Sequence, residues 1–288
     1  FDSTFDTLAG EDEFLIRLLP DGSGVDYATF FSDLNGAQDA GTLIADRIFV
    51  DADGRLLLVG RTSSQEFLAT TTIGAAPSGN VDVFVTRFDS TWTTPEASLL
   101  FGATAGIGVH DAARSDHGDI AIVGWTSGTD VPTTSGAFQP FKSGLEDGVV
   151  VCVDASLTEL EFSTYLGGFS TDLPRAVAID DSGVVTVSGI TWSSNFPVTK
   201  GAFQEQAGTI NAFVSRFDPT GRRLLHSTRI GAEGGEAPGD PVVLLLDNTG
   251  SVVVAGTTVT PETFPTTPDA YMPEADRGIL TFISKLTL

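Results

Sequence analysis

An apolar run that ends in glycine recurs about every 65 residues: Leu57-Leu58-Val59-Gly60, Ala121-Ile122-Val123-Gly124, Val185-Thr186-Val187-Ser188-Gly189 and Val252-Val253-Val254-Ala255-Gly256. A fixed period of that length marks an array of similar units, each too small to bury its own faces alone, and it constrains the fold more than any local propensity does. A turn precedes every copy: Asp51-Ala52-Asp53-Gly54, Asp116-His117-Gly118-Asp119, Asp180-Asp181-Ser182-Gly183 and Asp247-Asn248-Thr249-Gly250. Asp and Asn side chains cap such turns, and Gly supplies the positive φ of a tight hairpin.

About 25 residues beyond each glycine another strand pattern recurs, at Phe84-Val85-Thr86-Arg87-Phe88, 149–154, Phe213-Val214-Ser215-Arg216-Phe217 and Phe282-Ile283-Ser284-Lys285-Leu286, with an N-terminal copy at Phe14-Leu15-Ile16-Arg17-Leu18. A fourth strand follows at 27–31, 98–101, 162–166 and 224–230. With the strands of a unit named A to D, the chain reads C-D, then A-B-C-D three times, then A-B-C. The expectation is an all-β fold: a β-propeller of four-stranded antiparallel blades forming one domain over 1–288, with repeats at about 1–31, 32–101, 102–166, 167–230 and 231–288. Because the array starts and stops inside a unit, the expectation extends to further repeats in a longer polypeptide, or to a partner chain that covers an open sheet edge.

Phe162-Ser163-Thr164-Tyr165-Leu166-Gly167-Gly168, Ala176-Val177-Ala178-Ile179-Asp180, Phe196-Pro197-Val198-Thr199-Lys200-Gly201-Ala202-Phe203-Gln204 and Ala212-Phe213-Val214 closely resemble the bacterial seven-bladed β-propeller repeat known as SBBP. Related copies are Val131-Pro132-Thr133-Thr134-Ser135-Gly136-Ala137-Phe138-Gln139 and Phe264-Pro265-Thr266-Thr267, while Phe67-Leu68-Ala69-Thr70-Thr71 replaces the Pro-containing segment in a diverged unit. The resemblance implies an exported bacterial surface protein, secreted or at the cell surface, and transfers no catalytic residue.

Asp and Glu number 38 against 15 Lys and Arg, a formal charge of -23 that repels phosphate backbones and excludes nucleic acid as a partner. No apolar run reaches the roughly 18 residues of a membrane helix, so no membrane insertion is expected. The chain begins at Phe1 without a signal-peptide pattern, which reads as a processed or truncated start. Cys152 is the only cysteine and sits among valines, a packing residue rather than a disulfide partner.

Chemistry-bearing residues are sparse. His110, His117 and His226 occupy three different repeat positions with no metal-ligand spacing. The Asp-rich A-B turns offer two or three oxygens each where calcium takes about six to eight, so turn capping is expected, and no cofactor. Strand C carries a cation at one repeat position, Arg17, Arg87, Arg216 and Lys285, with Cys152 in the remaining copy, which points to structural ion pairs. The long B-C connections are expected on the same side as the D-A connections. There Trp125 and Trp192 follow the strand B glycines and offer recognition material, whereas the repeated Phe-Pro-Thr-Thr and Gly-Ala-Phe-Gln residues read as wrapping between units. At the entry to strand A the aligned residues Asp46, Asp111, Arg175 and Val242 vary between repeats and, with His110, are the candidates for an enzyme site. The expected function is a non-catalytic scaffold binding other extracellular proteins or glycans, or taking part in a surface assembly. The alternative is an extracellular lyase or glycan hydrolase using non-repeated acids.

Overall fold

A computed structural model of the protein describes residues 13–31, 41–77, 80–205, 208–232, 243–247, 250–274 and 278–287. It is all-β: the one helical segment among the described residues is the 3-10 turn Pro261–Thr263. The chain packs as two compact units, one built mainly from Phe1–Val109 and the other from His110–Thr129, Thr133–Ala155 and Leu160–Leu288.

The first unit holds the hairpin of β1 (Glu13–Leu18) and β2 (Val25–Phe31), and a sheet of β3 (Leu43–Val50), β4 (Leu56–Thr62), β5 (Thr71–Gly74), β6 (Asp82–Phe88) and β7 (Pro95–Gly102) in the order β3-β4-β6-β7-β5. This sheet has five strands where four were expected. The extra strand, β5, comes from the diverged segment and lies parallel to the outer edge of β7. The divergence is one of sequence more than of role. Phe67 packs on Phe84 with ring centroids 5.3 Å apart, as Phe196 packs on Phe213 at 4.4 Å and Phe264 on Phe282 at 4.6 Å. Thr70, Thr134 and Thr199 donate their backbone N–H groups to the carbonyls of Ser98, Ser163 and Ser227, at 2.7, 3.1 and 2.9 Å. Each threonine Oγ1 also accepts the serine N–H, at 2.9, 3.1 and 3.0 Å. The wrapping segments therefore cover the outer sheet edges, which would otherwise expose unpaired backbone.

The second unit holds β8 (Gly108–Arg114), β9 (Ile120–Thr126), β10 (Asp147–Val153) and β11 (Leu160–Leu166) as one four-stranded sheet, and β12 (Asp172–Ile179), β13 (Val185–Thr191), β14 (Asn211–Phe217) and β15 (Leu224–Ile230) as another. A third sheet has β16 (Val243–Leu246), β17 (Val252–Thr258) and β18 (Leu280–Leu286). Its core includes Val123, Val150, Phe162, Val187, Phe196, Phe213 and Phe217, with a second cluster around Val214, Val252, Val254 and Phe282.

The recurring strand B glycine has a steric cause. Gly60, Gly189 and Gly256 lie directly opposite Phe84, Phe213 and Phe282. A Cβ at Gly60 would stand 2.8 Å from the Phe84 ring, and one at Gly256 2.9 Å from the Phe282 ring. At Gly60 and Gly256 the missing side chain makes room for an aromatic ring whose burial is worth about 2–3 kcal/mol. At Gly60 and Gly189 it also lets the strand A carbonyls of Ile44 and Leu173 approach, and the fourth copy, Gly124, lies opposite Val149.

The strand C cations meet carboxylates: Arg17 with Asp26 at 2.6 Å, Arg87 with Glu96 at 3.4 Å, Arg216 with Asp180 at 3.5 Å and Lys285 with Asp247 at 2.6 Å. Cys152 is buried, and burial with three nearby acids pushes its thiol up to about 12. Turn capping by Asp is direct: Asp51 Oδ1 accepts the N–H groups of Asp53 and Arg55, and Asp180 Oδ1 those of Ser182 and Val184. In the turn at Asp116-His117-Gly118-Asp119 the capping group is instead the Ser115 hydroxyl, which accepts the Asp119 N–H at 3.1 Å.

Candidate functional site

Strand B leaves its sheet the same way in every unit. Thr62, Thr126, Thr191 and Thr258 are buried, and each Oγ1 accepts the backbone N–H two residues on, from Ser64, Gly128, Ser193 and Thr260, at 3.0, 2.9, 3.0 and 3.2 Å. Opposite these threonines on strand C stand Asp82, Asp147, Asn211 and Leu280. Opposite Thr62 on strand A stands Leu43, but opposite Thr191 stands Asp172. Asp172 is thus an acid that breaks the repeat.

Asp147 and Asp172 converge on Gly167. A Cβ there would stand 2.8 Å from Asp172 Oδ2 and 2.9 Å from Asp147 Cγ, so any other residue would push the carboxylates aside. Both carboxylates are fully buried, and each accepts three hydrogen bonds. Asp147 Oδ1 accepts the Gly144 N–H at 2.9 Å, and Oδ2 accepts the Ser143 N–H at 2.6 Å and Gln139 Nε2 at 3.0 Å. Asp172 Oδ1 accepts the Thr191 hydroxyl at 2.5 Å, and Oδ2 accepts the Gly168 N–H and the Ser193 hydroxyl, both at 2.7 Å. Burial raises both acids above the ordinary carboxylate range against the pull of these bonds, and the charge of Asp147 pushes Asp172 the same way. From β15, the buried Arg229 guanidinium donates to the Ser194 carbonyl at 2.6 Å; burial lowers its pKa from the ordinary value, and the Asp172 charge opposes that shift only in part.

This polar node ties three loops side by side. Leu145 N–H donates to the Ser170 carbonyl at 3.0 Å, Asp172 N–H to the Glu146 carbonyl at 2.8 Å, and Trp192 N–H to the Thr171 carbonyl at 2.9 Å. Phe169 N–H donates to Asn195 Oδ1 at 2.8 Å, and Ser170 N–H to Ser193 Oγ at 2.9 Å. The B-C and D-A connections emerge together here, as their spacing predicts. On the outside of this frame Phe141, Phe169, Leu145 and Trp192 are 77%, 75%, 71% and 36% exposed.

The residues singled out from the sequence fall elsewhere, Trp192 excepted. Asp46 and Arg175 sit at equivalent irregularities of strand A, where the register shifts between Ala45 and Arg47 and between Pro174 and Ala176. Such a bulge turns one extra side chain off the ladder. Asp46, in the first unit, accepts Arg61 Nη1 at 2.8 Å, and burial raises its carboxyl despite that neighbour. In the second unit His110, Asp111 and Arg175 do come together, but as a brace between β8 and β12. His110 Nδ1 meets the Pro174 carbonyl at 2.6 Å, which makes it the donor, and Nε2 accepts Arg175 Nη1 at 2.9 Å. Asp111 spans the same strands, its Oδ2 accepting the Val177 N–H at 2.9 Å. Trp125 is half-buried in β9, and Val242 lies outside the described residues. Among the described residues no group of three His, Cys, Asp or Glu side chains is placed to hold a metal ion. Sequence reasoning missed the Asp147–Asp172 node. Its signals were the repeated threonine two residues after each strand B glycine, and an acid in a column that holds Leu43.

No protein-family model matches the chain, and no curated protein matches it. Solved structures similar to it include a K499G mutant of NanB sialidase from Streptococcus pneumoniae, 11% identical with a TM-score of 0.40 over 84% of this chain and 31% of that one. The β-propeller domain of the Trilobed protease from Pyrococcus furiosus is 8% identical with a TM-score of 0.36, over 85% and 58% of the two chains. A D477G ACO/RPE65 chimera is 12% identical with a TM-score of 0.42, over 94% and 54%. The chain thus spans less than two thirds of the length of these proteins, and similarity at this level carries nothing about activity.

Proposed function

We propose that this chain is a non-catalytic, secreted or cell-surface scaffold of the β-propeller type, binding extracellular proteins or glycans through one loop face or serving in a surface assembly. The four-stranded meanders, the repeat period and the resemblance of 162–216 to the SBBP repeat support the architecture and the location. No helix among the described residues is long and apolar enough to cross a membrane.

The observation that carries the binding role is the contrast inside the second unit. Asp111, Asp147 and Asp172 accept from backbone and side-chain donors and His110 bridges the Pro174 carbonyl and Arg175, while Phe141, Leu145, Phe169 and Trp192 are exposed on loops held in part by Asp147 and Asp172. A general acid or base must reach a substrate proton; Asp147, Asp172, Asp111 and His110 instead hold loops and strands. The alternative, a lyase or glycan hydrolase, is tested by incubating the protein with a panel of neutral and uronate polysaccharides and following reducing ends and unsaturated uronate absorbance. The expected result is no turnover. Turnover abolished by His110→Ala or Asp111→Asn would overturn the non-catalytic reading.

A further inference from the structure

We propose that the protein associates head to tail with a second copy of itself, the outer face of hairpin β1–β2 in one chain packing on the open face of sheet β16–β18 in the next. This deepens the surface-assembly part of the scaffold reading above, on which it rests. Strand register makes each face contiguous. On the hairpin, Phe14 stands opposite Phe30, Ile16 opposite Ala28 and Leu18 opposite Val25, so six apolar side chains share one face. At the bulge beside them Asp26 is drawn to Arg17 instead, at 2.6 Å. The hairpin's other face is already used, with Phe31 packed on Phe84 and Phe88. On the sheet, Leu245 stands opposite Val253 and Val253 opposite Lys285, while Ala255 stands opposite Ile283 and Thr257 opposite Thr281. Phe14 is 68% and Ile283 75% exposed, so neither face is covered within the single chain. An antiparallel face open to water ordinarily carries polar side chains, and an apolar one of this extent marks an interaction site.

The chain itself shows twice how such faces pack, and this chooses the occupant. In the second unit Ala121, Val123 and Val150 share one core with Val187, Phe213 and Phe217 of the neighbouring sheet. Ile190 and Val214 share the next with Val254 and Phe282. Counted from the strand B glycine, Val253 and Ala255 stand where Ala121 and Val123 do, and Ile283 pairs with Ala255 as Val150 does with Val123. Counted from the strand C cation, Phe14 and Leu18 stand where Phe213 and Phe217 do. The two open faces are therefore the two halves of a junction that the chain already makes internally, and every further copy brings both halves. The polar members fit as well. Arg216 holds the Lys285 slot at an internal junction, its side chain 14% exposed against 57% for Lys285, and each pairs with a carboxylate, Asp180 or Asp247. Between Phe213 and Phe217 the internal copy carries Ser215, whereas the hairpin has Ile16, so the open copy is the more apolar of the two. Because the halves differ, the contact is heterologous and builds a ring or a chain of copies.

The test is sedimentation velocity on the whole chain and on two variants. Phe14→Ser/Ile16→Ser spoils the hairpin face alone, and Leu245→Ser/Ile283→Ser the sheet face alone. Neither changes the net charge, and unchanged melting temperatures show that both fold; threonine, a better strand former, replaces serine wherever the melting temperature falls. The wild type is expected to associate as concentration rises. Association tightens from about 0.1 to about 1 M salt, which screens the formal charge of -23 that holds copies apart. Each variant alone is expected to associate at least about tenfold more weakly, a loss of ~1.4 kcal/mol. An equimolar mixture of the two variants restores association but stops at a one-to-one dimer, because one intact hairpin meets one intact sheet. A wild type that stays monomeric overturns the proposal, and so does a mixture that fails to pair. Association that either variant keeps alone makes the contact symmetric, and overturns it as well. These results leave the scaffold reading standing, which fails instead on polysaccharide turnover abolished by His110→Ala or Asp111→Asn.

Discussion

Replacing Asp172 with Ala removes the acceptor for three buried donors at once: the Gly168 N–H and the Thr191 and Ser193 hydroxyls. An unsatisfied buried donor costs about 1–3 kcal/mol. The hydroxyls can rotate towards other acceptors, but the Gly168 N–H cannot, and relief of the buried charge returns part of the cost. A net loss of roughly 3 kcal/mol follows, which for a unit of 150–250 residues lowers Tm by about 6–12 °C. Asp172→Asn keeps the shape and one acceptor, and its loss is under about 1 kcal/mol. The two variants also differ in pH behaviour. Because burial raises the Asp172 carboxyl in the folded state, its contribution to stability is fully present below the ordinary value of 3.8 and is lost as pH rises through the raised folded value. The wild type therefore loses ground against Asp172→Asn as pH rises through that window. Thermal melts by circular dichroism across pH read both effects. A Tm within about 2 °C of wild type for Asp172→Ala, or a wild-type to Asn difference independent of pH, would refute the account of the node.

Gly189→Ala drives a Cβ against the Leu173 carbonyl and to 2.7 Å from Pro174 Cα, and is expected to cost about 2 kcal/mol in urea unfolding; a neutral result would break the packing account of strand B. Cys152, buried with its thiol pushed up to about 12, is expected to react with a disulfide reagent at pH 8 only after denaturant is added; prompt labelling of the native protein would contradict its burial. Chelation with EDTA is expected to leave Tm unchanged, whereas loss of a metal bound only to the native state at a hundredfold excess over its Kd would remove roughly 3 kcal/mol. A calcium-reversible drop would overturn turn capping.

The repeat made much of the fold legible, because each weak strand or turn signal occurs several times at a fixed offset. The cation slot of strand C shows the gain: one Arg predicts nothing, but Arg17, Arg87, Arg216 and Lys285 in register predict cross-strand pairs. Averaging over repeats also hides exceptions. The segment Phe67-Leu68-Ala69-Thr70-Thr71 reads as divergence, yet Phe67 and Thr70 keep the ring contact and the serine bonds, and the chain between them and Gly74 becomes a fifth strand. At the candidate site the varying column Asp46, Asp111, Arg175 was visible, but its role was not. A register shift in strand A decides where those side chains point, and pairing with Arg61, Val177 and His110 depends on packing that spacing does not encode. The Asp147–Asp172 node was hidden for the same reason, since its donors come from three separate loops.

The central claim is that the apolar face of the second unit is held in one geometry by its buried carboxylates. Amide hydrogen exchange followed by mass spectrometry tests this most directly, because Gly144, Leu145, Gly168, Phe169, Ser170 and Trp192 all give their N–H groups to the frame. These loop amides are predicted to exchange as slowly as those of the neighbouring strands β10 and β13, and to speed up together in Asp172→Ala. Exchange at rates typical of an unfolded chain in the wild type would mean that Phe141, Leu145, Phe169 and Trp192 have no fixed arrangement, and would contradict the account.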